Sequence, residues 1–361
     1  MGLAGFARRG QIEMTQESSS SNLSNRQHAL VLAAVQEFIS TAEPVGSAQI
    51  VARHQLGVRA AMVRNMMAEL EEGGYLRQPH TSAGRVPTEK AFRYYVDHLA
   101  AANRIGFEDR AQIELHYSTA VRNLAEVLRD TPRLLALLTG QAALVMAPRL
   151  EASILERVNF VRIRENQVLA VFVASKGAMQ NRIVDTERDH LQDELDRMAR
   201  YLNESLEGRT LDEARRWIEA QLRHERANYD RFMHDALALG EAIADDVGRP
   251  ELYVEGSLRV LEQPEFSDRD KMRELLRALD DKTALLELLE RSLSHAGLTV
   301  SIGSENYDPR LSSLSVVAAS YAGGSSTLGS LAIVGPVRMD YDRVIPLVEY
   351  TARALSRLME Y

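Results

Sequence analysis

Residues 59–88 read RAAMVRNMMAELEEGGYLRQPHTSAGRVPT, and this stretch decides how the front of the chain folds. At 100° per residue, Val63, Met66, Met67 and Leu70 share one helix face, while Ala61, Arg64, Asn65 and Ala68 share the opposite one. Gly73-Gly74 ends that helix. Tyr75-Leu76-Arg77-Gln78 has strand character, and the segment from Pro79 to Pro87, with Gly84 and Arg85 inside it, closes a loop. A helix showing one Arg and one Asn among small residues can approach base edges closely, because Arg holds guanine O6 and N7 and Asn holds adenine N6 and N7. Any surface helix can show such a pair, so the neighbouring elements have to decide.

Upstream, Ser24 and Gln27 have the spacing of a capping box, and Val31, Val35, Phe38 and Ile39 recur at helical intervals, which predicts a helix to about Ser40. Glu43-Pro44-Val45-Gly46 breaks it, Ser47 is expected to cap a short helix through about His54, and Gly57 stands in the following turn. Downstream, a helix from Thr88 carries Phe92, Tyr95, Val96 and Leu99. Helix, short helix, turn, helix and hairpin-like loop is the order of a winged helix-turn-helix. In the loop, His80, Thr81, Ser82 and Arg85 offer phosphate-binding groups, the chemistry that seats a protein on a duplex; a plain surface hairpin is the alternative.

The chain has 361 residues, enough for two or three domains, and 45% of them are hydrophobic, which excludes a disordered chain. The absence of cysteine excludes a disulfide scaffold, a Cys-ligated zinc finger, an iron–sulfur centre and a thiol nucleophile. The net charge of −8 weighs against a protein that is basic all over, but its distribution matters more. Residues 23–99 hold eight basic groups against seven acidic ones, so the whole deficit lies downstream of about residue 100. A near-neutral front end on an acidic body follows. Residues 1–23 read as a disordered tail without the apolar core of a signal peptide. No run of ~18 apolar residues occurs, so a soluble, cytoplasmic protein without a membrane span is expected.

Beyond residue 100 the pattern predicts one continuous helix until Pro132 interrupts it, then strands at 142–146, 157–164, 168–175 and 179–185. Residues 187–245 and 268–295 read as helical, strands return at 298–302, 314–321 and 327–334, and a last helix spans 341–359. Strands on both sides of a helical stretch predict an α+β domain with a helical insertion. Ala322 to Gly329 is glycine-rich, but without the Gly-Lys-Ser/Thr ending it is no phosphate-cradling loop. Neither a His-Glu-x-x-His run, a Gly-x-Ser-x-Gly elbow nor a ligand-spaced Asp/Glu/His cluster appears, so no enzyme, cofactor or metal site is expected.

Residues 24–99 closely resemble the N-terminal domain of the HrcA family, the heat-inducible transcription repressors of bacteria. The resemblance is carried by Leu23-Ser24-Asn25-Arg26-Gln27, Glu43-Pro44-Val45-Gly46-Ser47, Val63-Arg64-Asn65-Met66-Met67, Gln78 through Thr88, and Arg93-Tyr94-Tyr95-Val96-Asp97. Towards the C-terminus Tyr321, Gly323-Gly324, Gly329, Gly335-Pro336, Arg338-Met339 and Tyr341 look like the family's closing motif. This resemblance implies an α+β multidomain protein: a disordered tail over 1–23, a winged-helix DNA-binding domain over 24–105, a GAF-like domain in two parts, 106–186 with a linker helix and 263–361, and an inserted helical dimerisation domain over 187–262. It further implies a homodimeric repressor of chaperone operons that binds an inverted-repeat operator on double-stranded DNA, is modulated by the chaperonin and lapses on heat shock. Arg59, Arg64, Asn65, His80, Thr81, Ser82 and Arg85 are the implied DNA-binding residues. Arg59 and Met62 stand where the family usually has Ser and Thr. Two rivals remain: a small-molecule sensor using the GAF-like body, and an interaction protein whose winged helix binds protein.

Overall fold

The computed structural model describes residues 23–80, 83–99, 105–118, 124–148, 154–175, 179–225, 231–247, 250–293, 297–323 and 326–359. The chain forms two compact units, one made of the N-terminal 146 residues together with 252–361, the other of 147–251.

The first unit opens with α1 (Asn25–Thr41), α2 (Ser47–Arg53) and α3 (Ala60–Glu72). Ser24 and Gln27 form the reciprocal capping box that their spacing predicts, each side chain satisfying a helix-start N–H that has no partner within the helix. Gly46, not Ser47, occupies the capping position of α2, so Ser47 is the first helical residue and its hydroxyl caps nothing. A two-residue antiparallel pair follows, β1 (Leu76–Arg77) with β2 (Val86–Pro87), and then α4 (Glu89–His98), which Thr88 caps by accepting from Ala91 N. Leu30, Val35, Ile50, Val63, Met67, Leu70, Leu76 and Phe92 are buried and give these elements a core.

Helices α5 (Phe107–Ser118) and α6 (Leu124–Thr139) come next. The expected break at Pro132 does not occur: Pro132 lies inside α6, and the adjacent Thr131 hydroxyl donates to Val127 O at 2.7 Å and sits 2.9 Å from the Tyr117 hydroxyl. A proline costs its helix one hydrogen bond, and here the burial of Val127, Leu128, Leu135 and Leu138 offsets that loss.

A five-stranded antiparallel sheet forms the body, with strands β3 (Ala142–Met146), β7 (Leu252–Glu255), β8 (Leu298–Ile302), β9 (Leu314–Gly323) and β10 (Ser326–Pro336) in the order β7-β3-β10-β9-β8. Both faces are covered, which is why these strands read as continuous apolar runs rather than alternating ones. Leu144, Met146, Val316 and Val334 pack with Leu275 and Leu279 of α11 (Arg269–Asp280) and Leu285 and Leu289 of α12 (Lys282–Leu293). On the other side β9 and β10 carry α13 (Tyr341–Met359) and β3 carries α6. The short α10 (Ser257–Leu261) follows β7.

The second unit contains the meander β4 (Leu155–Arg164), β5 (Gln167–Ala174) and β6 (Met179–Asp185), and the helices α7 (Gln192–Leu206), α8 (Leu211–Glu225) and α9 (Arg231–Val247). The sequence boundaries shift accordingly. Strands β4–β6, expected in the first part of the body, pack through Val158, Phe160, Val168, Ala170 and Phe172 with Leu195, Met198, Leu202, Ile218 and Leu237 of the helices that follow them. Residues 252–262, expected in the insertion, return to the body as β7 and α10. Two amides of α7 close the edge of β4: Asn203 accepts from Val158 N at 2.7 Å and donates to Val158 O at 2.9 Å, while Gln192 accepts from Arg162 N and donates to Phe160 O, both at 2.9 Å. An edge satisfied by side chains no longer templates another strand. Among the described residues, no helix is long and apolar enough to cross a membrane.

Candidate nucleic-acid interface

Helix α3 buries Val63, Met66, Met67 and Leu70 and leaves Ala61, Arg64 and Asn65 exposed, as its periodicity requires. The apolar stripe fixes the roll of the helix against the core, so the Arg64-Asn65 face has no choice but to point outward. Neither side chain has a hydrogen-bond or ion-pair partner among the described residues. Arg59 takes the N-cap position in extended conformation without a side-chain cap bond, and it too is exposed. The positive end of the α3 dipole therefore carries a guanidinium with no partner among the described residues, an arrangement that suits an anion such as phosphate.

Helices α1 and α2 hold α3. Glu37 of α1, 3% exposed, accepts from Gln49 Nε2 at 2.6 Å and Arg53 Nη1 at 2.7 Å, and His54 Nε2 lies 3.4 Å from its other oxygen. This carboxylate binds α1 to α2. At the other end Gln27 donates to Glu69 at 2.9 Å, which puts the start of α1 beside α3 one turn beyond Asn65.

The loop after β1 is clamped at its base. Val45 N donates to Arg85 O at 2.8 Å and Arg85 N to Val45 O at 2.9 Å. Gly84 makes that approach possible: a Cβ there would stand 2.6 Å from Val45 O and 2.7 Å from Pro44 O, which are backbone atoms that cannot move aside. The Arg85 side chain, expected to face phosphate, turns inward instead and its Nε donates to Glu71 of α3 at 2.9 Å. His80 is exposed and its carbonyl accepts from Ala83 N at 2.9 Å. Thr81 and Ser82 lie outside the described residues.

Of the eight basic side chains over 23–99, four are engaged within the fold. Arg53 bonds Glu37, Arg85 bonds Glu71, Arg93 bonds Glu305, and Lys90 donates to Gly73 O while lying over the Tyr75 ring. Arg59, Arg64, Arg26 and Arg77 are exposed without partners among the described residues. Arg26 and Arg77 were not singled out by sequence reasoning. Their signal is positional, since Arg26 precedes the Gln27 that touches α3 and Arg77 precedes the Gln78 whose N–H donates to Glu71 at 3.0 Å.

Residues 125–345 match the HrcA protein C terminal domain. The chain is 42% identical over 339 residues to the heat-inducible transcription repressor HrcA of Geobacter sulfurreducens, covering 94% of this chain and 99% of that one. It is 37% identical over 342 residues to the protein of the same name from Syntrophobacter fumaroxidans, covering 94% and 98%. The chain belongs to the HrcA family. Its relatives are repressors of transcription, not enzymes. A crystal structure of a hypothetical protein, solved at 2.2 Å and 26% identical, covers 93% of this chain and 98% of its own with a TM-score of 0.68. Its fold extends over both units described above.

Proposed function

We propose that this HrcA-family chain is a dimeric repressor of heat-shock genes that reads an inverted-repeat operator with a winged helix-turn-helix made of α1–α4 and the β1–β2 loop. The exposed Arg64-Asn65 face of α3, opposite a fully buried one, carries this reading. In this arrangement Arg64 and Asn65 contact base edges, and Arg59, Arg26, Arg77 and His80, with Thr81 and Ser82 of the loop, contact phosphates. Arg85 is a positioning residue that ties the loop to α3. Residues of the first unit after 105 form the GAF-like body, and the second unit is the dimerisation module.

The second unit supports self-association through the sheet face turned away from its described helices. Val161 pairs with Leu169 and Leu169 with Ile183 across the strands, and Val161 and Ile183 are 46% and 56% exposed. Val171 and Val173, half-buried, continue the same face while their alternates Ala170 and Phe172 are buried under the helices. Val161, Leu169 and Ile183 thus form an exposed apolar patch beside Arg157, Asn159 and Asn181, and a patch of this kind with a polar surround is what a second copy covers in a two-fold interface. Each protomer then addresses one half-site, which is why the operator is an inverted repeat.

Chaperonin modulation is part of the same proposal: the chaperonin keeps the repressor active and its diversion by heat relieves repression. The small-molecule alternative finds closed packing where a sensor body would need space, since Leu144, Met146, Phe266, Leu285, Leu289 and Val316 fill the inner face of the sheet. Footprinting the full chain on its own chaperone promoter, with and without chaperonin, tests the reading. Protection of an inverted repeat that strengthens with chaperonin is expected. Absence of any salt-dependent affinity for duplex DNA would overturn it.

A further inference from the structure

Two segments that the reading of DNA leaves unused, Arg93 to Asp97 and Arg338 to Tyr341, lie together in the first unit, where α4 and the end of α1 meet the body. Glu89 of α4 accepts from Ser304 N at 3.0 Å and from Ser304 Oγ at 2.5 Å. Gly303, with φ of +57°, allows this approach, because a Cβ there would stand 2.2 Å from Glu89 Oε1. One turn further along α4, Arg93 Nε donates to Glu305 Oε1 at 2.8 Å and its Nη2 to both Glu305 Oε2 and Val300 O, the last at 2.7 Å on edge strand β8. The Tyr95 hydroxyl donates to Asp342 at the start of α13, and the Phe92 and Tyr341 rings are 6.3 Å apart. From the body, Arg338 pairs with Glu265, donates to Gln263 at 3.0 Å, and reaches back to Ile39 O of α1 at 3.2 Å.

Partly exposed ion pairs of this kind add little to folding stability. Their geometry has a different effect. The contacts leave α1 and α4 at separate points and end on β8, on the turn after it, on Arg338 between β10 and α13, and on α13 itself. A head attached at several non-collinear points cannot swivel.

We propose that Glu89, Arg93, Gly303 and Arg338 are positioning residues, which hold the reading head at one angle on the body and thereby set the spacing between half-sites that the dimer accepts. The proposal rests on the dimeric, inverted-repeat reading above. B-DNA turns by about 35° per base pair, so heads held at one angle on their bodies match fewer spacings than heads that swivel. Heads freed from their bodies still bind, but with an effective concentration spread over many separations.

The test uses the full chain and a series of duplexes carrying the footprinted half-sites in inverted orientation, with the spacing varied one base pair at a time, plus a duplex with a single half-site. The wild type is expected to lose at least tenfold in affinity one base pair from its optimum. Arg93→Met on the head and Gly303→Ala on the body are expected to reduce that preference to less than threefold, while single half-site affinity stays within twofold of wild type. The isosteric Glu305→Gln, expected to fall between these, serves if either variant fails to fold. Variants that keep the wild-type preference overturn the proposal, as does a wild type that binds all spacings alike. A wild type that binds no half-site at all overturns the underlying DNA reading instead.

Discussion

Arg85 Nε donates to Glu71 Oε2 at 2.9 Å, so the loop between the two short strands is tied to the helix that exposes Arg64. The same loop is bridged to Val45, and Gly84 is where the two backbones touch. Gly84→Ala is therefore expected to destabilise the head by about 1–3 kcal/mol, because the clash is with carbonyl oxygens rather than with an adjustable side chain. Urea unfolding measures it. An unchanged midpoint would show that the bridge gives way at no cost.

Glu37 is a buried carboxylate whose partners differ in exposure. Arg53 is 59% exposed and can return to water when Glu37 is removed, whereas Gln49 and His54 lose a buried partner. Glu37→Ala is expected to cost about 1–3 kcal/mol, less than breaking a fully buried ion pair at ~3–5 kcal/mol. A thermal melt showing a loss above that upper range would mean that Gln49 and His54 stay unhydrated in the variant.

Ile183, 56% exposed, stands on the face of the β4–β6 sheet turned away from the described helices, outside the core they form with it. Ile183→Lys is expected to shift the protein from dimer to monomer in sedimentation equilibrium while leaving its far-ultraviolet dichroism unchanged. A variant that remains dimeric at micromolar concentration would place self-association elsewhere.

His28 joins α1 to α4. Its Nδ1 lies 2.7 Å from the Tyr94 hydroxyl and its ring 5.0 Å from that of His98. Burial first, and then the neighbouring His98 charge, hold the His28 imidazole below its ordinary value. The folded state thus resists a proton that the unfolded chain accepts, so this contribution to stability is complete above about pH 6.5 and is lost as pH falls through the lower, folded pKa. Melting temperature is expected to fall between pH 6.5 and 5 more steeply in the wild type than in His98→Gln. Parallel pH profiles would remove His98 as a cause.

Local signals in the sequence read well because their physics is local. Ser24 with Gln27 and Thr88 with Ala91 are caps within three residues, and the two faces of α3 follow from residues spaced three and four apart. What escaped depends on partners far along the chain. Arg85 looks like a phosphate ligand until Glu71, fourteen residues earlier, is seen to hold it. Pro132 looks like a breaker because burial of the α6 face cannot be read from the proline itself. Strand β7 is only Leu252-Tyr253-Val254-Glu255, too short for a periodicity, and it exists because β3 offers it an edge. The meander β4–β6 was legible as strands, but the helices that cover it were not.

The balance of charge sharpens in the same way. The head's net charge is close to zero, yet among its described residues four arginines face solvent without partners, while Arg53 and Arg85 pair with carboxylates of the head, Arg93 with Glu305 of the body, and Lys90 with a backbone carbonyl. If all four meet phosphate in both protomers, the logarithm of affinity falls with the logarithm of salt with a slope no steeper than about −7. Gel shifts between 50 and 200 mM salt are expected to give a slope between about −3 and −7. A steeper slope would require cations from outside the head.

Parallel titrations of wild type and Arg64→Ala on the footprinted operator and on a scrambled duplex of equal length address the central claim most directly. The exposed face of α3 is expected to read bases, so the variant should lose about 1–3 kcal/mol on the operator and much less on scrambled DNA. Equal losses on both duplexes would make Arg64 a phosphate contact, and no loss on either would remove α3 as the reading element.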